Sequence, residues 1–306
     1  MLHIPVLLSE TIDAIFTNPD GVYVDCTLGG GGHTQALMQR LSPSGRIIAL
    51  DRDNKVLQAT VEKLSSPQIY ACQSDFSALD SVLRSLDITA VDGVMMDLGV
   101  SSFQLDDGDR GFSFHQEAPL DMRMSQEDPV TAADLLRTAS EKELGDWLFI
   151  YGEERYARLI ARSIVEERSR RSIDTTTKLA ELIQDAVPAA YRRKKHPARK
   201  TFQALRIVVN QELEALKQVL PQALQHLKPG GRLCVITFHS LEDRITKQFM
   251  RDKAQNCTCP PELPVCVCNH RAELKLINRR GWIPSAAEIA NNSRARSARL
   301  RVAEKI

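Results

Sequence analysis

Apolar and polar positions follow two different rhythms along the first third of the chain. Short apolar runs predict β-strands at residues 21–26, 46–50, 69–72 and 91–97. The segments between them have helical spacing and predict helices at residues 33–42, 53–64 and 77–86. Strands that alternate with helices are typical of a parallel sheet with right-handed crossovers. The pattern therefore predicts an α/β fold built on a mostly parallel, Rossmann-like sheet.

This alternation stops after Asp97. Residues 98–124 form a loop with several glycines and aspartates that is too long for a plain connection, so it is a candidate functional loop. From residue 128 to about 190 the spacing is helical throughout, with Asp128-Pro129 predicted to begin one helix and Ser140 to cap another. Because no strand pattern interrupts this stretch, we predict an inserted helical domain.

The strand pattern resumes in the last third of the chain. A helix is predicted over residues 202–226, a strand over 232–238 and a further helix from Ser240. Two late apolar runs, at 273–278 and 297–303, predict a pair of strands at the edge of the sheet. We therefore expect a core domain in two parts, residues 1–108 and residues 201–306. Between them we expect a helical domain that recognises the substrate, residues 109–200.

A run of four glycines follows the first predicted strand. The strand ends in Asp25, Gly29 to Gly32 come next, a helix follows, and the second strand ends in Asp51. Glycines allow the backbone to pass close to a ligand, and an acid at the next strand end accepts hydrogen bonds from ribose hydroxyls. This order predicts a site for an adenosine-containing cofactor.

The charge beside the glycines distinguishes between cofactors. A dinucleotide site usually places a pyrophosphate at a turn of the G-x-G-x-x-G type. Here the glycines are contiguous and Asp25 precedes them, and a carboxylate repels a pyrophosphate but attracts a ligand with an amino group and a sulfonium. The pattern thus favours S-adenosylmethionine over NAD. His33 at the helix start could donate to the carboxylate of this cofactor, or simply cap the helix.

The charge of the chain is balanced overall but unevenly distributed. The 306 residues have a formal net charge of +1. Residues 72–135 are rich in acids, whereas residues 192–200 contain six lysines and arginines, and residues 292–301 contain four arginines. Basic clusters attract phosphate backbones, and they also occur on ordinary solvated surfaces. A nucleic-acid partner is therefore one of two interpretations.

No segment has the pattern of an export signal or a membrane anchor. The apolar runs are shorter than a membrane span, and the N-terminus lacks a basic stretch followed by an apolar one. Seven cysteines, an odd number, suit a reducing compartment better than a disulfide framework. We therefore expect a cytoplasmic protein without a membrane partner.

Four of the cysteines form two C-x-C pairs, Cys257 with Cys259 and Cys266 with Cys268, around a proline-rich turn. Four thiolates in such an arrangement could bind zinc, and reversible disulfide formation is a second interpretation. Structural zinc sites more often have C-x-x-C spacing, which favours plain reduced cysteines. The sequence alone assigns no metal.

Several segments along the whole chain resemble one family. They are His3-Ile-Pro-Val-Leu-Leu8, Asp25-Cys-Thr-Leu-Gly-Gly-Gly-Gly-His-Thr34, Asp97-Leu-Gly-Val-Ser-Ser102, Arg110-Gly-Phe-Ser-Phe114, Pro119-Leu-Asp-Met-Arg-Met124, Thr201-Phe-Gln-Ala-Leu-Arg-Ile-Val-Val-Asn210, Phe238-His-Ser-Leu-Glu-Asp-Arg244 and Arg296-Ser-Ala-Arg-Leu-Arg301. Their order resembles the bacterial ribosomal small-subunit RNA (cytosine-N4)-methyltransferase family (RsmH/MraW).

The resemblance implies a class I S-adenosylmethionine-dependent methyltransferase fold with a helical insertion. It also implies methylation of the N4 amino group of a cytidine near the decoding centre of small-subunit ribosomal RNA. We expect this RNA as the partner, within the assembled small subunit, while the residues themselves leave free RNA and a subunit precursor open. By the same resemblance, the cofactor contacts fall on Gly31, Gly32, His33, Asp51, Phe76, Asp97 and Gln104. One departure is Phe103, which stands where the family usually has proline and frees a φ angle that proline would restrict.

The positions of these residues along the predicted strands agree with most of these contacts. Asp51 ends the second strand, where the ribose of an adenosine would lie. Phe76 follows the third strand and could lie against the adenine ring or belong to the core. Asp97 ends the fourth strand, beside the expected reversal of strand order, and could accept a hydrogen bond from the cytosine amino group or cap the loop. Methyl transfer depends mainly on alignment, so no catalytic residue is assigned.

The long loop also carries aromatic residues. Phe103, Phe112 and Phe114 could stack on a base that is pulled out of its helix, or anchor the loop to the core. The apolar helix faces of the insertion would permit a homodimer.

Two other functions are consistent with parts of the sequence. The first is a nicotinamide-dependent oxidoreductase, against which the contiguous glycines and Asp25 count. The second is a non-catalytic RNA-binding or assembly protein, which would not need Gly31, Gly32, Asp51 and Asp97 together. The methyltransferase remains the favoured interpretation.

Overall fold

The computed structural model describes residues 5–101, 104, 107–193, 196–257, 259, 267–268 and 270–306. The chain divides into two compact units. The sheet unit comprises Met1–Gly99 and Leu213–Ile306, and the helical unit comprises Val100–Glu212. Of the residues singled out above, Phe103 and Cys266 lie outside the described residues, as do His3 and two lysines of the basic cluster, Lys194 and Lys195.

In the described part of the sheet unit, seven strands form one sheet. They are β1 (Val22–Asp25), β2 (Arg46–Asp51), β3 (Ile69–Gln73), β4 (Val91–Asp97), β5 (Leu227–Thr237), β6 (Leu274–Leu276) and β7 (Arg299–Lys305). Their order is β3-β2-β1-β4-β5-β7-β6. Strands β1 to β5 pair in parallel, whereas β7 is antiparallel to both β5 and β6. The predicted α/β class and the late edge pair are confirmed.

The order of the strands reverses at the centre of the sheet. From β1 the chain moves outward through β2 to β3, and it then crosses back so that β4 pairs with the other side of β1. In open α/β sheets, ligands bind in the crevice beyond the carboxyl ends of the strands at such a reversal. The reversal that the sequence predicts beside Asp97 is therefore confirmed, and it lies between Asp25 and Asp97.

Both faces of the central strands are buried. Tyr23 and Met95 pack into one apolar cluster, and their chain neighbours Val24 and Met96 pack into another. Successive side chains of a strand point to opposite faces, so a strand covered on both sides needs a continuous apolar run. This is why the strands are recognisable as short apolar segments in the sequence.

The first part of the sheet unit has one helix before β1 and three helices between its strands. They are α1 (Leu8–Ile15), α2 (Gly32–Met38), α3 (Asn54–Leu64) and α4 (Leu79–Ser85). Helix α3 begins at Asp53, whose carboxylate accepts a hydrogen bond from the Val56 N–H at 3.5 Å. The three helices α2 to α4 match the segments in which the apolar spacing predicts helices.

The described part of the helical unit contains six helices. They are α5 (Ala132–Thr138), α6 (Glu141–Ile150), α7 (Ala157–Arg168), α8 (Thr176–Ala186), α9 (Ala189–Arg192) and α10 (Ala198–Asn210). Their apolar faces form one buried cluster that includes Leu136, Leu144, Ile160 and Ile183. This cluster is a core of its own, which explains why the unit is compact.

Three further helices follow. They are α11 (Glu212–His226), α12 (Ser240–Lys253) and α13 (Ala286–Asn291). The single helix predicted over residues 202–226 is wrong, because Gln211 adopts a left-handed φ of 52° and separates α10 from α11. Phe202 and Leu205 of α10 pack in the helical core, so that unit extends to Glu212, whereas the predicted insertion ends at residue 200. Among the residues that the structure describes, none of the helices has the length and apolar character needed to cross a membrane.

Helix starts follow the capping chemistry only in part. The capping box at Ser140 is confirmed, with its side chain accepting from the Glu143 N–H at 3.2 Å. The helix predicted to begin at Asp128-Pro129 instead begins after Thr131, which forms a capping box with Asp134. In the last third, His239 rather than Ser240 is the N-cap of α12, and Glu242 occupies the third position. In both helices the observed N-cap is the residue three positions before the acid that completes the capping box, Asp134 in α5 and Glu242 in α12.

Candidate functional site

The glycine segment forms a tight turn between β1 and α2. Gly29 and Gly31 have φ angles of 48° and 73°, in the left-handed region that favours glycine. A Cβ atom on Gly31 would lie 2.6 Å from Cγ2 of Thr60, and one on Gly32 would lie 2.1 Å from Cγ of Pro5. The turn therefore needs glycine for both conformation and packing, and its backbone lies at the carboxyl edge of the sheet.

Asp25 fixes the two ends of this turn by hydrogen bonds to Thr27 and Thr34. Its carboxylate is buried and accepts hydrogen bonds from the Thr27 N–H at 3.0 Å and the Thr34 hydroxyl at 2.7 Å. Burial raises the pKa of Asp25 to about 6, against the opposing effect of the bonds from Thr34 and Thr27. The residue thus positions the loop and places partial negative charge below it. Sequence reasoning missed both threonines, because hydroxyl partners leave no pattern of their own.

Asp51 joins the end of β2 to the glycine turn. Its Oδ2 accepts from the Gly29 N–H at 2.8 Å, and its Oδ1 accepts from the Asp53 N–H at 2.9 Å. The side chain is half-buried, and desolvation raises its pKa despite these two bonds. A carboxylate has about four acceptor positions, so two remain for the hydroxyls of a ribose.

Phe76 lies at the end of β3, next to Asp51 in the sheet. The Ser74 N–H donates to the backbone carbonyl of Asp51 at 3.1 Å, which brings the two strand ends together. Asp75 then caps a short 3₁₀ turn over Phe76–Ala78, with its carboxylate accepting from the Ser77 N–H at 2.8 Å. The Phe76 ring is half-buried and packs against the core, so it has one face in the core and part of its surface exposed.

Asp97 ends β4 and faces α2. Its Oδ2 lies 3.8 Å from Nδ1 of His33, while its N–H donates to the Thr27 hydroxyl at 2.6 Å. Among the described residues, the buried Oδ1 has no hydrogen-bond partner. Burial raises the pKa of Asp97 to about 8, with further contributions from the negative charges of Asp25 and Glu242. Among the described residues, the ionised form of this carboxyl group therefore has no ion-pair partner other than the His33 imidazole, at 3.8 Å.

His33 is fixed by two neighbours. Its Nε2 lies 3.0 Å from the Val6 carbonyl oxygen, and its Nδ1 faces Asp97. The ring is 7% exposed. The imidazole therefore connects α2 with the segment before α1 and with the end of β4. These contacts give His33 a structural role, whereas its predicted role as a hydrogen-bond donor to a ligand stays a prediction.

Glu242 is a residue that sequence reasoning did not single out. It is 2% exposed, and its Oε2 accepts from the N–H groups of Phe238 and His239 at 2.8 and 3.2 Å. Strand β5 pairs with β4, so this capping carboxylate follows the strand beside Asp97 and raises its pKa. An acid in the first turn after a parallel strand adjacent to the reversal would have been the signal to look for.

Gln104 lies in the helical unit, unlike the other predicted cofactor contacts. Its side chain is 5% exposed. Its Oε1 accepts from the Ser101 N–H at 3.0 Å, and its Nε2 donates to the Met124 carbonyl at 3.4 Å. These bonds hold the loop after β4 within that unit. The other six predicted residues lie at the carboxyl edge of strands β1 to β4 in the sheet unit.

The described aromatic residues of the long loop are anchored. Phe112 and Phe114 are partly buried against the core of the helical unit. The Phe114 ring stacks on His196, with centroids 4.5 Å apart, and meets Phe202 edge-on at 5.3 Å. Of the two roles considered for these phenylalanines, the geometry favours anchoring the loop.

The sheet-unit site fits an adenosine linked to a cation. Asp51 has free acceptor positions for ribose hydroxyls, and Phe76 presents an aromatic surface beside them. The unpartnered oxygen of Asp97, together with Asp25, fits a positively charged group, because a buried carboxylate without compensation is costly. A pyrophosphate would instead be repelled by the ionised forms of these two carboxyl groups and would gain nothing from their protonated forms. The residues therefore fit S-adenosylmethionine better than a dinucleotide.

Comparisons with known proteins agree with this chemistry. A family model described as the MraW methylase family matches residues 1–306. A protein named Ribosomal RNA small subunit methyltransferase H from Symbiobacterium thermophilum is 50% identical over 307 residues, covering 99% of this chain and 96% of its own length. A protein of the same name from Brevibacillus brevis is 47% identical over 307 residues, covering 99% and 98%. Among solved structures, an rRNA methylase from Streptococcus thermophilus matches with a TM-score of 0.43 and 11% identity, covering 100% of this chain and 99% of its own.

Proposed function

Because the chain belongs to the MraW methylase family, whose members are S-adenosylmethionine-dependent methyltransferases, we propose that it methylates the exocyclic N4 amino group of one cytidine in small-subunit ribosomal RNA, near the decoding centre. The observation that carries this proposal is the buried carboxyl oxygen of Asp97 at the strand reversal, which has no hydrogen-bond partner among the described residues. The names of the two relatives support the ribosomal substrate. The cytosine N4 acceptor is what the family resemblance implies, and a carboxyl group at Asp97 supports an amino-group acceptor because it can accept its hydrogen bond.

Six residues of the sheet unit would hold the cofactor. The backbone of Gly31 and Gly32 allows its close approach, and Asp51 accepts hydrogen bonds from the ribose hydroxyls. Phe76 lies against the adenine, while His33 fixes the start of α2 beside Asp97. The contact predicted at Gln104, which lies in the helical unit, stays a prediction. When bound, S-adenosylmethionine supplies an electrophilic methyl group on a sulfonium.

Asp97 would align the acceptor. The N4 lone pair of cytosine is delocalised into the ring, so the amino group is a weak nucleophile. A carboxylate that accepts a hydrogen bond from this amino group localises the lone pair and provides a place for the proton that must leave. The pKa of Asp97 is about 8 in the free protein, and the positive charge of a bound sulfonium would lower it and so favour the carboxylate near neutral pH. Positioning and electrostatics then supply most of the rate enhancement.

The helical unit would bind the RNA backbone. In the basic segment 192–200, Arg193 and Arg199 are exposed, and Arg192 and Lys200 donate to backbone carbonyls of Val187 and Glu153. Exposed arginines are suited to phosphates because they present several donors at fixed angles.

A second arginine-rich segment, 162–171, contributes only in part to such a surface. Arg168 donates to the carbonyls of Leu136 and Ala139, both at 2.6 Å, and so closes the end of α5. Arg171 pairs with Glu167 within one helix turn. These two side chains are therefore engaged in the unit itself, whereas Arg162 and Arg170 of this segment are exposed, as Arg193 and Arg199 are.

Methyl transfer to ribosomal substrates tests the proposal. Small subunits that lack the modification, and the RNA extracted from them, are incubated with labelled S-adenosylmethionine and digested to nucleosides. We expect N4-methylated cytidine from intact subunits and much less from free RNA, because we propose the assembled subunit as the substrate. Asp97→Asn should lower the rate by about 10²–10³-fold.

The matched control is Asp87→Asn, which makes the same charge change at an exposed residue whose positive φ asparagine tolerates. It should leave the rate unchanged. Methyl label in any nucleoside other than cytidine would overturn the assignment of the acceptor. Equal activity of Asp97→Asn and wild type would overturn the role of Asp97.

A further inference from the structure

Three thiols converge in the segment between α12 and β6. The sulfur atoms of Cys257, Cys259 and Cys268 all lie within 4.8 Å of one another. The Sγ atoms of Cys257 and Cys268 are 3.7 Å apart. Cys257 is exposed and the other two are half-buried, so the cluster lies at the surface of the sheet unit. It is remote in sequence from every residue of the proposed cofactor site.

The ends of this segment are tied together independently of the cysteines. The Glu273 N–H donates to the Lys253 carbonyl at 2.8 Å, and the two side chains form an ion pair at 2.7 Å. One step further in, the Ala272 N–H donates to Oδ1 of Asn256 at 3.4 Å. Residues 253–256 and 272–273 are therefore held side by side, and Cys257 follows directly after this paired base.

Backbone N–H groups point at two of the sulfurs. The Cys259 N–H donates to Sγ of Cys257, and the Val267 N–H donates to Sγ of Cys259, both at 3.4 Å. Such bonds stabilise negative charge on sulfur and fix its direction, as outer-sphere hydrogen bonds do for metal ligands. These two N–H groups therefore favour the ionised, metal-binding form of the cysteines over the neutral thiols.

We propose that Cys257, Cys259 and Cys268 bind one zinc ion as thiolates. Tetrahedral sites with Zn–S bonds of about 2.3 Å have sulfur atoms about 3.8 Å apart, close to the 3.7 Å between Cys257 and Cys268. A disulfide would instead need sulfurs about 2.05 Å apart. Each thiol loses its proton to solvent when the metal binds. The sequence offers a fourth thiolate in Cys266, which lies outside the described residues.

The role of the ion would be structural. The structure shows neither helix nor strand in the described part of residues 254–273, and connections of this length are rare in compact domains without such support. Next to the cluster, Gln255 and Asn256 line a cavity of about 880 Å³ together with basic residues that include Arg251, Lys275 and Arg279. Zinc would hold this wall of the basic cavity in place.

Metal analysis of the full chain tests the proposal. The protein is purified without chelators from cells supplied with zinc, and the metal is measured per chain. We expect one zinc per wild-type chain, and at least a tenfold loss in Cys257→Ser, Cys259→Ser and Cys268→Ser. The control is Cys72→Ser, which alters a half-buried cysteine outside the cluster and should retain the metal.

Two further measurements use only the wild-type protein, so a variant that fails to fold does not affect them. Replacement of zinc by cobalt should give the intense sulfur-to-metal absorption of thiolate ligation. Removal of zinc with a chelator should make residues 254–273 at least tenfold more sensitive to proteolysis, and zinc should restore protection. Less than 0.1 zinc per chain, with all cluster thiols freely titratable or joined in a disulfide, would overturn the proposal.

Discussion

The imidazole Nδ1 of His33 lies 3.8 Å from Oδ2 of Asp97. This contact joins the first turn of α2 to the end of β4, on the two sides of the strand reversal. It also leaves the other oxygen of Asp97 without a partner among the described residues. The two features together place a histidine and an uncompensated carboxyl group where a cationic ligand would bind, and four of the following five predictions concern this site or the RNA that it would modify.

Cofactor affinity should increase with pH. The pKa of Asp97 is raised to about 8 in the free protein, so the carboxyl group is largely protonated at pH 6.5 and ionised at pH 9. A sulfonium binds the ionised form better, and each pH unit below the pKa should weaken binding by up to about tenfold. Calorimetric titration with S-adenosylmethionine from pH 6.5 to 8.5 measures this slope.

S-adenosylhomocysteine provides the control for the sulfonium, because its sulfur is neutral while its other groups are the same. Its affinity should change much less over this pH range. The same slope for both ligands would show that Asp97 does not act on the sulfonium.

Asp97→Asn should stabilise the protein without cofactor at high pH. The native pKa of about 8 lies above the unfolded value, so the unfolded chain releases this proton first and wild-type stability falls as the pH rises from about 4 to 8. The variant lacks this loss. Urea unfolding should show the variant more stable than wild type by up to about 5 kcal/mol at pH 8.5, because each pH unit between the two pKa values contributes about 1.4 kcal/mol, with little difference at pH 4. A wild type more stable than the variant at pH 8.5 would contradict the burial of charge at Asp97.

Alanine at the glycine turn should weaken cofactor binding. Gly31→Ala forces a side chain onto a φ of 73° and against Thr60, and Gly32→Ala meets Pro5. We expect each to lower stability by about 1–3 kcal/mol and affinity at least tenfold. Gly230→Ala is the matched control, because it has a φ of 79° but open space around the new methyl group. It should lower stability by about 1 kcal/mol and leave affinity unchanged. Equal binding by Gly31→Ala and wild type would show that the turn does not approach the ligand.

Asn210→Ala should destabilise the helical unit. The side chain is 2% exposed, donates to the carbonyls of Met122 and Arg206, and accepts from the Met124 N–H at 2.7 Å. Its removal leaves buried backbone groups unpaired, which should cost about 2–4 kcal/mol in urea unfolding. Gln184→Ala removes an exposed amide of the same unit and should change stability by less than about 0.5 kcal/mol. A loss below 1 kcal/mol for Asn210→Ala would show that water replaces these bonds.

Charge reversal at Arg193 and Arg199 should weaken RNA binding. Both side chains are exposed on the helical unit. The double change to glutamate should lower affinity for small-subunit RNA at least tenfold and reduce the slope of affinity against salt by about 1–2. Arg84→Glu makes the same type of charge change at an exposed residue of the sheet unit and should have little effect. Unchanged salt dependence in the double variant would exclude these arginines from the interface.

The sequence alone determined the parts of the site that depend on local order. Strands buried on both faces are continuous apolar runs, and in a parallel sheet their carboxyl ends meet at one edge. Asp25, Asp51, Phe76 and Asp97 therefore follow directly from where the runs end. The glycines are equally local, because left-handed φ values are restricted mainly to glycine.

Only the tertiary structure decided how these groups are charged and paired. The pKa of Asp97 depends on burial and on Glu242, which is 145 residues later in the chain. The left-handed Gln211 and the gathering of Cys257, Cys259 and Cys268 also depend on contacts that no local pattern encodes. The physical reason is common to all three. Electrostatic energies and side-chain contacts depend on distance in space, whereas a sequence pattern records only distance along the chain.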